Sequence, residues 1–145
     1  MAVAIEFRSS DWPRIRWLRS WEKSALEDAL AQATDLLVSA GPDDAGDPTL
    51  ALVGDEIAKR ARQFFWVGYL STTGVYGDHH GDWVDEATPL HPGTDRGQAR
   101  VEAEAAWGAI PDLPVHFFRL AGIYGPGRGP FAKVRAGAAR RIVKP

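Results

Sequence analysis

The fold is decided by the stretch Val67–Gly77, whose sequence is VGYLSTTGVYG. It begins with residues that favour a buried strand and ends in a turn rich in hydroxyl groups and glycine. In open parallel sheets, ligands bind outside the carboxyl ends of the strands. The turn that begins at Ser71 is therefore the first candidate for a site.

Two further apolar runs predict strands on either side of this one. The run Asp35–Ala40 precedes it and stops at Gly41, and the run Leu113–Ala121 follows it and enters a loop rich in Gly and Pro. The central strand itself is predicted over Gln63–Thr73. Continuous apolar runs of this length are typical of parallel strands buried on both faces.

Helical patterns separate the predicted strands. They run over 24–33 with Ser24 as N-cap, over 47–62 with Asp47 and Pro48 at the start, and over 94–107 with Thr94 or Asp95 as N-cap. Gln98, Val101 and Ala105 are predicted to face inward on the last of these helices. A helix between two buried strands forms a β-α-β unit, so the pattern predicts an α/β fold with a parallel sheet.

Length and composition fit one small domain. The chain has 145 residues, 19 acidic and 17 basic side chains and a formal net charge of -2, so no overall basic field favours nucleic acid or an anionic membrane. It has no cysteine, which excludes disulfides, thiolate metal sites and a cysteine nucleophile. No apolar run approaches the ~18 residues of a membrane span. We expect a cytoplasmic protein without nucleic-acid or membrane partners.

The first part of the chain has a different composition. Residues 1–24 form a segment rich in Trp and Arg, of unclear role, and residues 25–145 contain the α/β pattern. Trp17 and Trp21 are four residues apart and would share one face of a helix. A basic aromatic surface for nucleic acid or lipid is one interpretation, but no base-reading motif accompanies it, and packing against the domain is the favoured one.

Histidine and acidic residues gather in the loop 77–92. His79 and His80 are adjacent and cannot easily point at one ion, and no pair has the spacing of helical metal ligands. The sequence therefore predicts a solvated loop and no metal site.

Three motifs in fixed order resemble the extended short-chain dehydrogenase/reductase family, the NAD-dependent epimerase/dehydratase group. They are LSTTGVYG at 70–77, VDExxP at 84–89 and FRLAGIYGPGR at 118–128. The resemblance covers roughly residues 25–145 and is closest to an atypical bacterial branch with the GIYGPGR signature. It implies a partial Rossmann-type parallel sheet of three or more strands with flanking helices, NAD or NADP as cofactor, and hydride transfer on a sugar-nucleotide-like alcohol.

The resemblance also implies site residues. Thr72 matches the catalytic Ser/Thr of the family, which hydrogen-bonds the substrate carbonyl or alcohol. The remaining substrate positions are Thr73, Gly74, Arg96 and Tyr124. The cofactor positions are Ser39, Ala40, Gly41, Ser71, Arg100, Ala121, Gly122 and Ile123.

The chain departs from the family pattern at two places. Arg96 and Arg100 stand where the family has the Tyr and Lys of Tyr-x-x-x-Lys, and arginine stays protonated, so neither can be that acid/base. Arg100 would hold the nicotinamide ribose or a phosphate, and Arg96 an anionic substrate. A local salt bridge between Arg100 and Glu104 is the alternative for this pair.

No glycine-rich dinucleotide turn precedes Gly41, so the first β-α-β nucleotide-binding unit is missing from the pattern. We therefore expect a truncated or degenerate member of the family that binds dinucleotide weakly or not at all. The second hypothesis is a non-catalytic Rossmann-like binding or interaction protein. In that case the Trp-rich N-terminal segment would cover the open edge of the sheet, or another copy of the chain would cover it and give a homo-oligomer.

Overall fold

The computed structural model describes residues 2–5, 15–18, 22–125 and 129–138. From Lys23 onward the chain alternates between helices and strands, as the sequence predicts, whereas the two strands before it were not predicted. The elements are β1 (Ala2–Ile5), β2 (Ile15–Leu18), α1 (Lys23–Gln32), β3 (Asp35–Val38), α2 (Pro48–Lys59), β4 (Trp66–Thr72), α3 (Asp95–Gly108), β5 (Val115–Leu120) and α4 (Pro130–Arg135), with short 3-10 turns at Ala61–Gln63 and Thr73–Val75.

The main sheet has three parallel strands in the order β3-β4-β5, so the strand that contains the opening motif is central. Val38 at the end of β3 lies opposite Tyr69, and Leu120 at the end of β5 lies opposite Thr72. The prediction of a parallel α/β sheet is confirmed. β1 and β2 form a separate parallel pair.

The helix starts follow from local capping. The carboxylate of Asp47 accepts hydrogen bonds from the backbone N–H groups of Thr49 and Leu50, and Thr94 Oγ1 accepts from Gly97 N–H, so both predicted N-caps are confirmed. The prediction of Ser24 as a cap is wrong. Helix α1 already begins at Lys23, so Ser24 lies inside its first turn.

The helix predicted around Trp17 is also wrong, because Ile15–Leu18 is a strand that pairs with β1. A parallel partner satisfies the backbone groups there, which overrides the four-residue spacing of tryptophans. Leu18 is buried in the main core. Trp21, the other residue of the predicted helical face, lies outside the described residues.

One face of the main sheet carries the core. Val67 and Tyr69 on β4 pack there with α2, α3 and the inner side of α1. The largest buried side chain is Trp107 of α3, whose ring lies 6.0 Å from that of Tyr69 between centroids. Burial of this apolar face supplies most of the driving force for folding.

The other face of the sheet is largely open. Leu37 on β3 is 58% exposed and Phe118 on β5 is 41% exposed, so the prediction that the flanking strands are buried on both faces is wrong. On this face the Trp66 ring covers Gly68, where a Cβ would lie 2.2 Å from the indole. The apolar pattern of these strands is typical of a sheet with helices packed on both faces, but no helix among the described residues packs on this face.

Candidate functional site

Three exposed turns leave the carboxyl ends of β3, β4 and β5 at one edge of the sheet. They are 39–41, 73–75 and 121–124; the second exposes Thr73 and Gly74 and buries Val75. Each contains small or hydroxyl-bearing residues, which let a flat ligand approach the backbone closely. The structure thus brings the predicted residues Ser39, Ala40, Gly41, Thr73, Gly74, Ala121 and Gly122 to one edge.

Thr72 is the last residue of β4 and is half-buried. Its Oγ1 accepts a hydrogen bond of 3.2 Å from Gly74 N–H, which fixes the side chain across the turn. A hydroxyl that accepts here still has its own proton to donate, and no described protein group takes it. The predicted carbonyl-binding residue therefore has a free donor at the edge of the sheet.

Helix α3 reaches the same edge with its first turn. Gly97 allows this approach, because a Cβ at that position would lie 2.7 Å from Pro92 Cβ and 3.0 Å from the carbonyl oxygen of Gly74. Arg96, beside it, is exposed and has no hydrogen bond or ion pair with the described residues. It stays a prediction that Arg96 contacts substrate.

Arg100, one turn further along α3, is fixed against the ends of β3 and β4. Its Nη1 donates to the Leu70 carbonyl at 2.9 Å and to the Tyr69 hydroxyl at 3.2 Å. Its Nη2 lies 2.6 Å from the position that a Cβ on Gly41 would take. The structure therefore places two predicted cofactor residues, Gly41 and Arg100, in contact.

Tyr69 links this arginine to the start of α2. Burial raises the pKa of the Tyr69 phenol, the positive charge of Arg100 partly offsets this, and the Asp47 carboxylate raises the pKa further. One Asp47 oxygen caps α2, and the other, Oδ2, is buried without a hydrogen bond of ordinary geometry to the described residues. The phenol thus stays protonated at neutral pH.

Glu104 does not pair with Arg100, so the predicted local salt bridge is wrong. Its carboxylate instead accepts three hydrogen bonds from Arg119 of β5, one from Nη2 to Oε2 at 2.7 Å and two from Nε, to both oxygens, at 3.2 Å. Ser71 Oγ donates to Glu104 Oε1 at 2.6 Å. The two forked groups of Glu104 and Arg119 fit each other in a planar pair, which is stronger than a single contact along one helix.

Tyr76 completes this buried group of four residues, which we call the Glu104 network: Ser71, Tyr76, Glu104 and Arg119. Arg119 Nη1 donates to the Tyr76 hydroxyl at 2.9 Å, and its guanidinium carbon lies 5.0 Å from the centre of the Tyr76 ring. The hydrogen bonds that Arg119 donates to the Glu104 carboxylate raise the pKa of Arg119. The network ties β4, β5, α3 and the turn after β4 together.

Burial in this network bears on the predicted role of Ser71. Ser71, predicted as a cofactor contact, is 6% exposed, and its hydroxyl donates a hydrogen bond to Glu104. The hydroxyl is therefore engaged within the Glu104 network. Tyr76 is also 6% exposed. At the other extreme, Ile123 and Tyr124 are 60% and 82% exposed beyond β5.

The rest of the described chain adds no second chemical site. No cluster of three or more His, Asp or Glu side chains has the arrangement of a metal site among the described residues. A groove of about 410 Å³ between 58–63 and 111–112 lies before β4 and β5, at the amino ends of the strands. Within the described ranges, no helix is long and apolar enough to cross a membrane.

Sequence reasoning missed the Glu104 network, although a signal for it exists. Alternation along a strand puts Ser71 on the same face as Val67 and Tyr69, and Arg119 on the same face as Phe117. Two polar residues at inward positions of neighbouring strands require a polar partner. The inward face predicted for α3 was likewise wrong at Gln98 and Ala105, which are exposed, because the helix buries Glu104 and Trp107 instead.

Comparison with known proteins supports the Rossmann-like α/β fold. No known family model matches the chain. The solved structure of a conserved protein of unknown function from Silicibacter pomeroyi superposes on this chain with a TM-score of 0.76. The two sequences are 54% identical, and the match covers 91% of this chain and 52% of the other. Protein YeeZ of Escherichia coli is 36% identical over 110 residues, which are 71% of this chain and 39% of YeeZ.

More distant solved structures share the fold. A dTDP-glucose 4,6-dehydratase from Bacillus anthracis in complex with NAD is 21% identical, with a TM-score of 0.66, over 88% of this chain and 46% of its own. A UDP-glucuronic acid 4-epimerase from Bacillus cereus in complex with NAD is 18% identical, with a TM-score of 0.58, over 83% of this chain and 43% of its own. The chain is thus a Rossmann-like α/β protein whose structural neighbours include an NAD-bound dehydratase and an NAD-bound epimerase, and it spans about half the length of the solved structures it matches.

Proposed function

We propose that this chain is the cofactor- and substrate-binding part of an NAD(P)-dependent oxidoreductase of the epimerase/dehydratase type. One observation carries the proposal. Three parallel strands end side by side in exposed turns of small and hydroxyl residues, and a fixed arginine of α3 lies against the first of these turns. The family activity would be hydride transfer on an alcohol of a sugar-nucleotide-like substrate.

The turns at this edge fit a flat cofactor. Ser39, Ala40 and Gly41 are exposed beside the end of β4, and Gly122 has no atom within 4 Å of the space that a Cβ would occupy. A nicotinamide dinucleotide, when bound, supplies the hydride acceptor or donor. In this proposal the turn 39–41 holds its ribose or phosphate, and Ala121–Ile123 lie along the nicotinamide.

Thr72 has the clearest role toward substrate. Its hydroxyl is fixed by Gly74 N–H and keeps a proton to donate, so it can hydrogen-bond a carbonyl or alkoxide oxygen on which charge develops. Thr73 and Gly74, exposed on the same turn, would border the substrate. We assign Thr72 to orientation and charge stabilisation and not to proton exchange.

The two arginines act by charge in this proposal. Arginine stays protonated, so Arg96 and Arg100 cannot take a proton from an alcohol. Arg96, exposed on the first turn of α3, would attract the anionic part of a nucleotide sugar, the class of substrate named for the dehydratase neighbour. Arg100 would hold the cofactor.

Protein-detected NMR titration with NAD and with NADP tests the proposal. Amide shifts concentrated at Ser39, Thr72 and Gly122 are the expected result, and no shifts up to millimolar ligand would remove it. Gly122→Val should abolish binding by filling the space of the ring without disturbing the fold. Gly93→Val is the matched control, since a Cβ there also meets nothing within 4 Å and Gly93 lies outside the proposed contacts.

A second candidate is a binding or interaction protein without catalysis. The observation that favours it is the open sheet face, where Leu37 is 58% exposed and Phe118 is 41% exposed. Pairing of this face with a second copy would remove apolar surface from water. Size-exclusion chromatography with light scattering should then give a dimer that Leu37→Lys converts to a monomer, whereas a monomeric wild type would contradict it.

A further inference from the structure

Arg100 carries a half-buried charge without an acidic partner. The guanidinium makes no ion pair within the described ranges, because Glu104 is engaged with Arg119 and Asp47 caps α2. The Tyr69 ring, 5.7 Å from the guanidinium carbon, compensates for it only in part. Charges withdrawn from water are normally paired, so this site has the charge to accept an anion.

The geometry presents two donors of this arginine to the edge of the sheet. Nη1 is occupied by the Leu70 carbonyl and the Tyr69 hydroxyl, while Nε and Nη2 have no hydrogen-bond partner in the part of the chain that the structure describes. Nη2 and Nε form the side of the guanidinium that matches two oxygens of a phosphate or carboxylate. Because Nη1 is fixed on both sides, little side-chain freedom remains to be lost when an anion binds.

Gly41 keeps these donors in place. A Cβ at position 41 would lie 2.6 Å from Nη2 and 3.4 Å from the guanidinium carbon, closer than atoms can approach without a shift. The backbone of Gly41 is not in the left-handed region, so alanine is tolerated there and only the flexible arginine has to move. Position 41 therefore controls where the guanidinium lies.

We propose that Arg100 binds a phosphate oxyanion of the ligand through Nη2 and Nε, and that Gly41 and Tyr69 are positioning residues for it. This assignment rests on the proposed function and specifies which group of the ligand Arg100 binds. The arginine would recognise phosphate charge, and not the uncharged hydroxyls of a ribose. The turn after β3 and helix α3 would then hold a phosphate between them.

Titration of the full chain with inorganic pyrophosphate, ADP and NAD tests this, followed by NMR at the Gly41 amide and the Arg100 Nε–H. Arg100→Gln should weaken all three ligands by about 10-fold or more, since a charge-assisted contact is lost. Gly41→Ala should shift the Arg100 Nε–H signal before any ligand is added and weaken binding by a similar factor. If Arg100→Gln does not fold, as judged by circular dichroism, Gly41→Ala still decides the question.

Two control variants separate this effect from general changes of charge or backbone. Arg62→Gln removes an exposed arginine that pairs with Asp112 away from the site, and Gly93→Ala adds a methyl group in open space. Both should keep wild-type affinity. In the double variant Gly41→Ala/Arg100→Gln, binding should be no weaker than in Arg100→Gln alone, because both changes act on one guanidinium.

The outcomes also separate the inference from the proposed function. Loss of NAD affinity with unchanged pyrophosphate affinity in Arg100→Gln would overturn the inference, because Arg100 would then contact ribose or nicotinamide. Pyrophosphate binding that depends on Arg100, without NAD binding, would support the inference and remove the dinucleotide function. Wild-type affinity for all three ligands in both variants, or no pyrophosphate binding at all, would overturn the inference.

Discussion

Replacing Glu104 with glutamine should show how much of the fold depends on the Glu104 network. Glutamine keeps the shape and one acceptor oxygen for Ser71, but it removes the charge that faces Arg119 and turns an amide N–H₂ toward other donors. Removing one partner of a buried ion pair typically costs about 3–5 kcal/mol. Since the Arg119 side chain is 18% exposed and keeps its bond to Tyr76, we expect the lower end, about 3 kcal/mol.

Urea unfolding followed by circular dichroism measures this loss in the free energy of unfolding. Asp112→Asn is the matched control, because it breaks the ion pair of Arg62 with Asp112, whose side chains are 84% and 54% exposed. Asp112 has a φ of 61°, which asparagine also tolerates, so the control should lose less than about 1 kcal/mol.

A double variant then isolates the pair itself. Glu104→Gln combined with Arg119→Met should lose about 1–3 kcal/mol less than the two single losses added together, because the second change removes the charge that the first left unpaired. Additive losses, or a Glu104→Gln variant no less stable than the Asp112→Asn control, would refute the reasoning.

Three further predictions concern the phenol, a turn and a cap. Because the folded state raises the pKa of Tyr69, the contribution of this phenol to stability should be constant below the ordinary tyrosine pKa of about 10 and be lost as pH rises above it. In urea unfolding at about pH 9 and about pH 11, Tyr69→Phe should reduce the fall in stability between the two pH values, and Tyr124→Phe, at an 82% exposed position, should not. Gly77→Ala should lose more than about 1 kcal/mol, because φ is +78° and the new Cβ would lie 1.9 Å from a carbonyl oxygen, whereas Gly93→Ala should stay within about 0.5 kcal/mol; equal melting temperatures would contradict this. Asp47→Ala should cost about 1–2 kcal/mol through loss of the α2 cap, measured by chemical denaturation, and an unchanged midpoint would show that the cap contributes nothing.

Local signals made the order of elements from α1 onward predictable from the sequence. Asp47 followed by Pro48 marks the start of α2, and Thr94 marks the start of α3, because a cap acts within three residues of itself. The central strand is equally plain, since its β-branched and aromatic residues fill one core. The neighbours of these elements along the chain carry enough information to place them.

Contacts between elements were not predictable in the same way. The four-residue spacing of Arg100 and Glu104 suggested a salt bridge along one helix, but Glu104 finds a better partner in Arg119 on β5. Tyr69, buried between α2 and α3, likewise draws Arg100 to β4. Such choices depend on which strands lie side by side, and spacing along one helix does not contain that information.

The same limit explains the open sheet face. Leu37 and Phe118 belong to apolar runs that predict buried strands, but these runs do not indicate which element would pack on the strands. A strand can therefore be predicted from its sequence without predicting the element that packs against it. The side that the core occupies was decided by Val67, Tyr69 and Trp107, which pack together.

The Glu104 network has a kinetic consequence for any ligand that binds at the edge of the sheet. Through Tyr76 and Arg119, the turn after β4 is anchored to β5 and α3, so it cannot rearrange without breaking the hydrogen bond between Tyr76 and Arg119. An edge held in this way accepts a ligand in the shape it already has. Association should then proceed in a single kinetic phase whose rate increases linearly with ligand concentration, without the plateau that a slow rearrangement step would impose.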